Sequence, residues 1–146
     1  MTIIRRWWQT HGFGVQSKTD YDYLRDVLTE PLPYYAYDSL PDKTSRLIYR
    51  ICNRARDGKV TMVGAFTPLE VKAATMALGH SPDRPATLRH LHGLQTLIVK
   101  GIDSQQAELW KQVLGATAVT WDMKHIGLAQ FLSRRYPEHY SIMIRR

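Results

Sequence analysis

Apolar positions along the chain change their spacing several times, and each change marks an element. Across residues 43–56, Ile48, Ile51, Cys52 and Ala55 recur at helical spacing with Leu47 alongside, which predicts a helix closed by Asp57-Gly58. Upstream, Tyr21, Leu24, Val27 and Leu28 share one side of a helix predicted over 20–29. Ser17 and Asp20 read as its capping pair, and Pro31 and Pro33 stop it. Residues 60–65 are a β-rich run ending near Gly64, followed by a helix over 69–78 with Gly79 at its C-cap. Residues 94–99 are apolar almost throughout, as in a strand covered on both faces. A helix over 104–114 buries Ala107, Trp110, Val113 and Leu114. Beyond it the period falls to two: Val119 and Trp121 alternate with Thr120 and Asp122, and Tyr140, Ile142 and Ile144 with Ser141, Met143 and Arg145. That pattern predicts two or three antiparallel strands at a sheet edge. The apolar stretch 128–132 reads either as a strand or as a helix extending through Arg134.

Strand, helix, strand, helix and terminal strands together imply an α/β three-layer sandwich. The 60–65 and 94–99 strands would be parallel, joined by a right-handed crossover through the 69–78 helix. No repeat or low-complexity linker divides the 146 residues, so a single domain is expected, with residues 1–40 as a helical arm and aromatic loop.

Charge adds a possible partner class. The net charge is +7, which favours acidic or phosphate-rich partners. Arg46, Arg50 and Arg54 stand four residues apart on the second helix, a stripe whose mutual repulsion an anion or a nucleic acid would relieve. Arg5, Arg6, Arg134, Arg135, Arg145 and Arg146 add charge near the termini, and Trp7, Trp8, Tyr34, Tyr35 and Tyr37 offer rings that stack on bases. The bland alternative is a solvated helix face beside an apolar one. Adjacent Trp7 and Trp8 cannot both face a core, so one is expected to pack and the other to meet a protein partner or a second copy of the chain.

Catalytic chemistry finds little support. Cys52 is the lone cysteine and falls on an apolar helix side, as a small buried hydrophobe would. His90 and His92 lack a third ligand nearby, so no metal site is expected. His125 near Asp122 and Lys124, and Glu138 beside His139, lie in or beside edge turns where polar residues are common. No nucleophilic triad emerges, and no catalytic residue is assigned. No apolar run is long enough to span a bilayer, and the N-terminus lacks a signal-peptide core and cleavage site, so a cytoplasmic protein with no membrane partner is expected.

Several segments resemble bacterial class I S-adenosylmethionine-dependent methyltransferases. Gly12-Phe13-Gly14-Val15-Gln16-Ser17 is similar to a Gly-Phe-Gly-Val-His-Ser opening of one group of them. Residues 97–102 with Trp110 resemble a late strand-and-helix segment that normally reads Val-Val-Asp-Asp-Ile, and Val119-Thr120-Trp121-Asp122, Gly127-Leu128 and His139-Tyr140 resemble the terminal strands. The resemblance implies a Rossmann-like fold with a shortened sheet of about four or five strands, parallel in the core and antiparallel at the C-terminal edge. It also implies a cofactor loop at Gly64, Ala65 and Phe66, reduced to a remnant. Only 28 residues separate the 60–65 and 94–99 strands, and Lys100-Gly101 stands where the family has an acidic pair. Strands that would carry the ribose-binding carboxylate are therefore expected to be missing. The expectation is a non-catalytic methyltransferase-like domain acting by binding or protein interaction. The alternatives are a basic nucleic-acid-binding module and a working methyltransferase that retains S-adenosylmethionine.

Overall fold

A computed structural model describes residues 3–12, 14–15, 17–29, 35–116, 118–131 and 137–144. Helix α1 spans Ile3–Thr10, and α2 spans Lys18–Tyr23 and runs on as a π-helical turn over Leu24–Leu28. A 3-10 turn at Tyr35–Ser39 leads to α3 (Lys43–Arg54). Then come β1 (Val60–Val63), α4 (Pro68–Leu78), β2 (Thr96–Lys100), α5 (Ala107–Leu114), β3 (Val119–Asp122), β4 (Ile126–Gln130) and β5 (Glu138–Ser141).

The five strands form one open mixed sheet in the order β1-β2-β4-β3-β5. β1 and β2 pair in parallel, with Val60 opposite Thr96 and Val63 opposite Val99, as their apolar runs predict. β4 runs antiparallel to both β2 and β3. The stretch 128–132 is thus strand as far as Gln130, and its continuation at Leu132 and Arg134 lies outside the described residues. The expected antiparallel edge is corrected here. β5 lies at the edge but pairs in parallel with β3, so β4 alone opposes the common direction and it sits inside the sheet. Alternation fixes which side chains face inward, but the direction of a strand depends on the route of its connection.

Side chains from the two faces of the sheet enter two apolar clusters. Met62, Ile98, Trp121 and Leu128 join Ile48, Ile51 and Ala74 from α3 and α4 on one face. Val63, Leu97, Val99 and Ala129 join Leu109, Trp110 and Val113 from α5 on the other. Helices therefore cover both faces, the three-layer arrangement that the order of elements implies. Gly127 makes the α5 layer possible, because a Cβ there would collide with the Trp110 indole. The free edge of β1 is partly covered by the connector: Met62 N–H donates to the Asp83 carbonyl at 2.8 Å and Asp83 N–H to the Val60 carbonyl at 3.2 Å. Such cover blunts an edge that would otherwise invite pairing.

Because β1, β2, β3 and β5 share one direction, their carboxyl ends gather at one end of the sheet with the start of β4. In α/β proteins that end is where loops gather and ligands bind, and here Gly64, Lys100, Asp122, Lys124 and His125 lie at or just beyond these strand ends.

Candidate functional site

The turn after β1 is where the cofactor loop was expected. Gly64 has φ +125°, a conformation that side chains disfavour, and a Cβ on it would strike the Lys100 carbonyl at the end of β2. Its glycine thus lets two parallel strand ends close on each other. Ala65 is exposed, whereas Phe66 is buried in the core facing α3 and α4. The Arg84 guanidinium lies 5.7 Å from the Phe66 ring centre and donates to the Gly64 carbonyl at 3.2 Å, closing the turn from outside.

The helix start beyond this turn is closed by the chain itself. Thr67 and Glu70 form a capping box: Glu70 N–H donates to Thr67 Oγ1 at 3.2 Å, and Thr67 N–H to Glu70 Oε1 at 2.8 Å. That box engages two of the N–H groups, those of Thr67 and Glu70, that make a helix start attractive to anions. Glu70 is buried, and Lys100 Nζ meets the same Oε1 at 2.6 Å. A carboxylate therefore already lies where an anionic ligand would be drawn. The Thr-x-x-Glu spacing that builds the box is visible in the sequence and is the signal that identifies Glu70 and Thr67 as the residues controlling this turn. A buried ring and the Glu70–Lys100 ion pair occupy the turn formed by Gly64, Ala65 and Phe66.

The three arginines of α3 differ in exposure. Arg50 is buried, donating from Nε to the Val27 carbonyl at 2.6 Å, from Nη2 to the Leu28 carbonyl at 3.0 Å and from Nη1 to the Tyr37 hydroxyl at 3.0 Å. It satisfies carbonyls at the end of the π-helical turn, a place where backbone acceptors lack helical partners. Arg46 is half-buried, donating to the Leu40 carbonyl at 2.6 Å and lying over the Tyr37 ring. Of the three, Arg54 alone is exposed. Cys52 is buried, and desolvation pushes its thiol up to about 12, which suits packing rather than nucleophilic chemistry.

Helix α1 docks through its polar side. Arg6 pairs with Asp122 at 2.9 Å, the Gln9 side chain accepts from Ser141 N–H at 2.6 Å, and Thr10 Oγ1 accepts from Met143 N–H at 2.8 Å. Ile3, Ile4, Trp7 and Trp8 consequently face outward. Neither tryptophan enters the core, as expected for one of them: Trp7 is 48% and Trp8 45% exposed, with their rings edge to face. Of the histidines noted near the edge turns, His125 bonds Asp103 at 2.6 Å rather than Asp122, and His139 bonds Thr120 at 2.7 Å. Phe13, Gln16, Tyr34, Arg134, Arg135, Arg145 and Arg146 lie outside the described residues.

Beside the closed turn, at the same end of the sheet, lies an apolar cavity of about 360 Å³. Met123, Ile126 and Ile142 form its buried wall, and Lys43, Lys100 and Lys124 stand around it. None of Gly64, Ala65 and Phe66 lines it. It draws residues from α1, α3, β2, the β3–β4 turn and the segment after β5, which no short sequence window could bring together.

Comparison with family models, with curated proteins and with solved structures found no match. The methyltransferase resemblance therefore rests on the residues quoted above.

Proposed function

We propose that this chain is a non-catalytic, methyltransferase-like α/β domain that acts by binding and does so without S-adenosylmethionine. Glu70 carries the reading. Its carboxylate caps the helix that follows the β1 turn and is held there by Lys100. An adenosyl cofactor entering this turn would have to displace Glu70 from its helix cap and Phe66 from the core. Both displacements cost stability, and β2 ends in Lys100-Gly101 rather than in an acidic pair. At the level of fold, the parallel β1–β2 pair and the antiparallel β4 support the resemblance. The nucleic-acid reading keeps Arg54 exposed but has Arg50 buried and bonded within the chain, so less of the α3 stripe supports it.

Titration calorimetry with S-adenosylmethionine and S-adenosylhomocysteine tests the reading. No saturable heat is expected from either. Micromolar binding of either compound would overturn it and return the chain to the working methyltransferases.

A further inference from the structure

We infer that the cavity at the carboxyl end of β2 is a binding site for an amphipathic anion: an apolar chain or ring carrying one carboxylate or phosphate head. The inference is independent of the cofactor question, since the turn at Gly64 does not border this cavity.

The first argument is the combination of wall and rim. A cavity of about 360 Å³ is in the range that holds a small organic ligand. Its apolar walls are isoleucine and methionine, and among the described residues no aspartate or glutamate lines it. The cations around it are of two kinds. Arg6, Lys100 and His125 are matched by Asp122, Glu70 and Asp103. Lys43 and Lys124 are exposed and have no ion pair or hydrogen bond from their ammonium groups among the described residues. Beyond Glu70, Lys100 also acts on the Asp42 carboxylate, whose side chain is engaged in capping α3 through Ser45 N–H at 2.9 Å. Two uncompensated ammonium groups thus border an apolar hollow. A ligand with an apolar body and an anionic head satisfies both, whereas an inorganic anion or a neutral hydrocarbon satisfies one.

The second argument is the backbone that carries Lys124. It is the sole non-glycine residue with positive φ among those described, at +76°. His125 N–H donates to the Met123 carbonyl at 3.0 Å across it, the hydrogen bond of a strained γ-turn. Glycine would adopt this turn at less cost, yet lysine holds the position. The turn is locked from every side. Asp122 accepts from Lys124 N–H at 2.8 Å and pairs with Arg6, His125 bonds Asp103, and Gly101 N–H donates to the His125 carbonyl at 2.7 Å. Strain of this kind persists where surrounding contacts over-determine it, commonly at ligand sites. A second hollow that also borders Lys124 is lined by Asp103 and Asp122, which disfavours an anionic head there and favours one near Lys43.

Calorimetry on the full chain with four probes tests the inference: decanoate, decyl phosphate, decanol and inorganic phosphate. Decanoate or decyl phosphate should bind at least about tenfold more tightly than decanol or inorganic phosphate, and added salt should weaken them. The preferred head tells carboxylate from phosphate. Combining Lys43→Gln with Lys124→Gly should weaken the better probe about tenfold or more. Lys124→Gly relieves the turn, so the melting temperature should hold or rise. Trp7→Ala with Trp8→Ala, outside the cavity, should leave the affinity unchanged, and so should added S-adenosylhomocysteine. The inference is overturned if neither amphipathic anion binds, if decanol binds as tightly, if inorganic phosphate alone matches them, or if the lysine variant binds undiminished.

Discussion

Lys100→Met should damage this protein more than Glu70→Gln, although the two changes break the same ion pair. Glu70 has a side chain only 4% exposed, against 29% for Lys100. Removing the ammonium leaves a buried carboxylate whose remaining partner is Thr67 N–H at 2.8 Å. Breaking a buried pair from one side costs about 3–5 kcal/mol, and the partial exposure of Lys100 puts this case near 3. Glu70→Gln keeps an amide oxygen to accept from Thr67 and strands only Lys100, which reaches solvent, so about 1 kcal/mol is expected. For a domain of this size the difference of about 2 kcal/mol is roughly 4–8 °C in melting temperature. The double variant should recover much of the Lys100→Met loss, because no uncompensated charge remains. Urea unfolding of the four proteins, followed by far-ultraviolet circular dichroism, measures all of these terms. Equal losses for the two single variants, or a Lys100→Met loss below about 1 kcal/mol, would refute the reasoning. Glu70 would then not be a buried charge holding the start of α4.

The backbone of the turn and the cap of the helix beside the cavity give two further tests. Gly64→Ala places a side chain at φ +125° and against the Lys100 carbonyl, so it should cost about 2 kcal/mol or more in urea unfolding; a loss within about 0.5 kcal/mol would show that the strand ends do not meet as described. Asp42→Ala removes the α3 cap and should cost about 1 kcal/mol at neutral pH. The Asp42 carboxyl is partly desolvated, which alone would raise its pKa, but the hydrogen bond from Ser45 N–H and the nearby Lys100 hold it below the ordinary 3.8. A depressed folded value means that this carboxylate stabilises above the ordinary value and stops doing so as pH falls through the folded one. The gap between wild type and Asp42→Ala should therefore shrink in acid, and a gap that widened there would contradict the assignment.

The core elements were legible because their signals are local. Ile48, Ile51 and Cys52 repeat at helical spacing and are all fully buried, and the apolar run around Leu97 became a strand covered on both faces. The chain also carried the Thr67–Glu70 box in plain view, though its consequence depends on Lys100, thirty residues away. Arg50 was illegible for the opposite reason. A charged residue beside an apolar stripe reads as solvated, and only the fold brings the Val27 and Leu28 carbonyls and the Tyr37 hydroxyl to it. Trp7 and Trp8 misled similarly: α1 binds through Arg6, Gln9 and Thr10, so its rings point outward. The direction of β5 and the cavity follow from chain paths between distant segments, which no periodicity encodes.

The account turns on whether the β1 turn accepts the cofactor that the resemblance implies. A nitrogen–proton correlation spectrum, recorded while S-adenosylhomocysteine is added to millimolar excess, reads Gly64, Ala65, Phe66 and the Glu70 cap directly. With the turn closed by Phe66 and Glu70, their amide signals should stay in place throughout. Saturable shifts of these amides with a micromolar midpoint would contradict it.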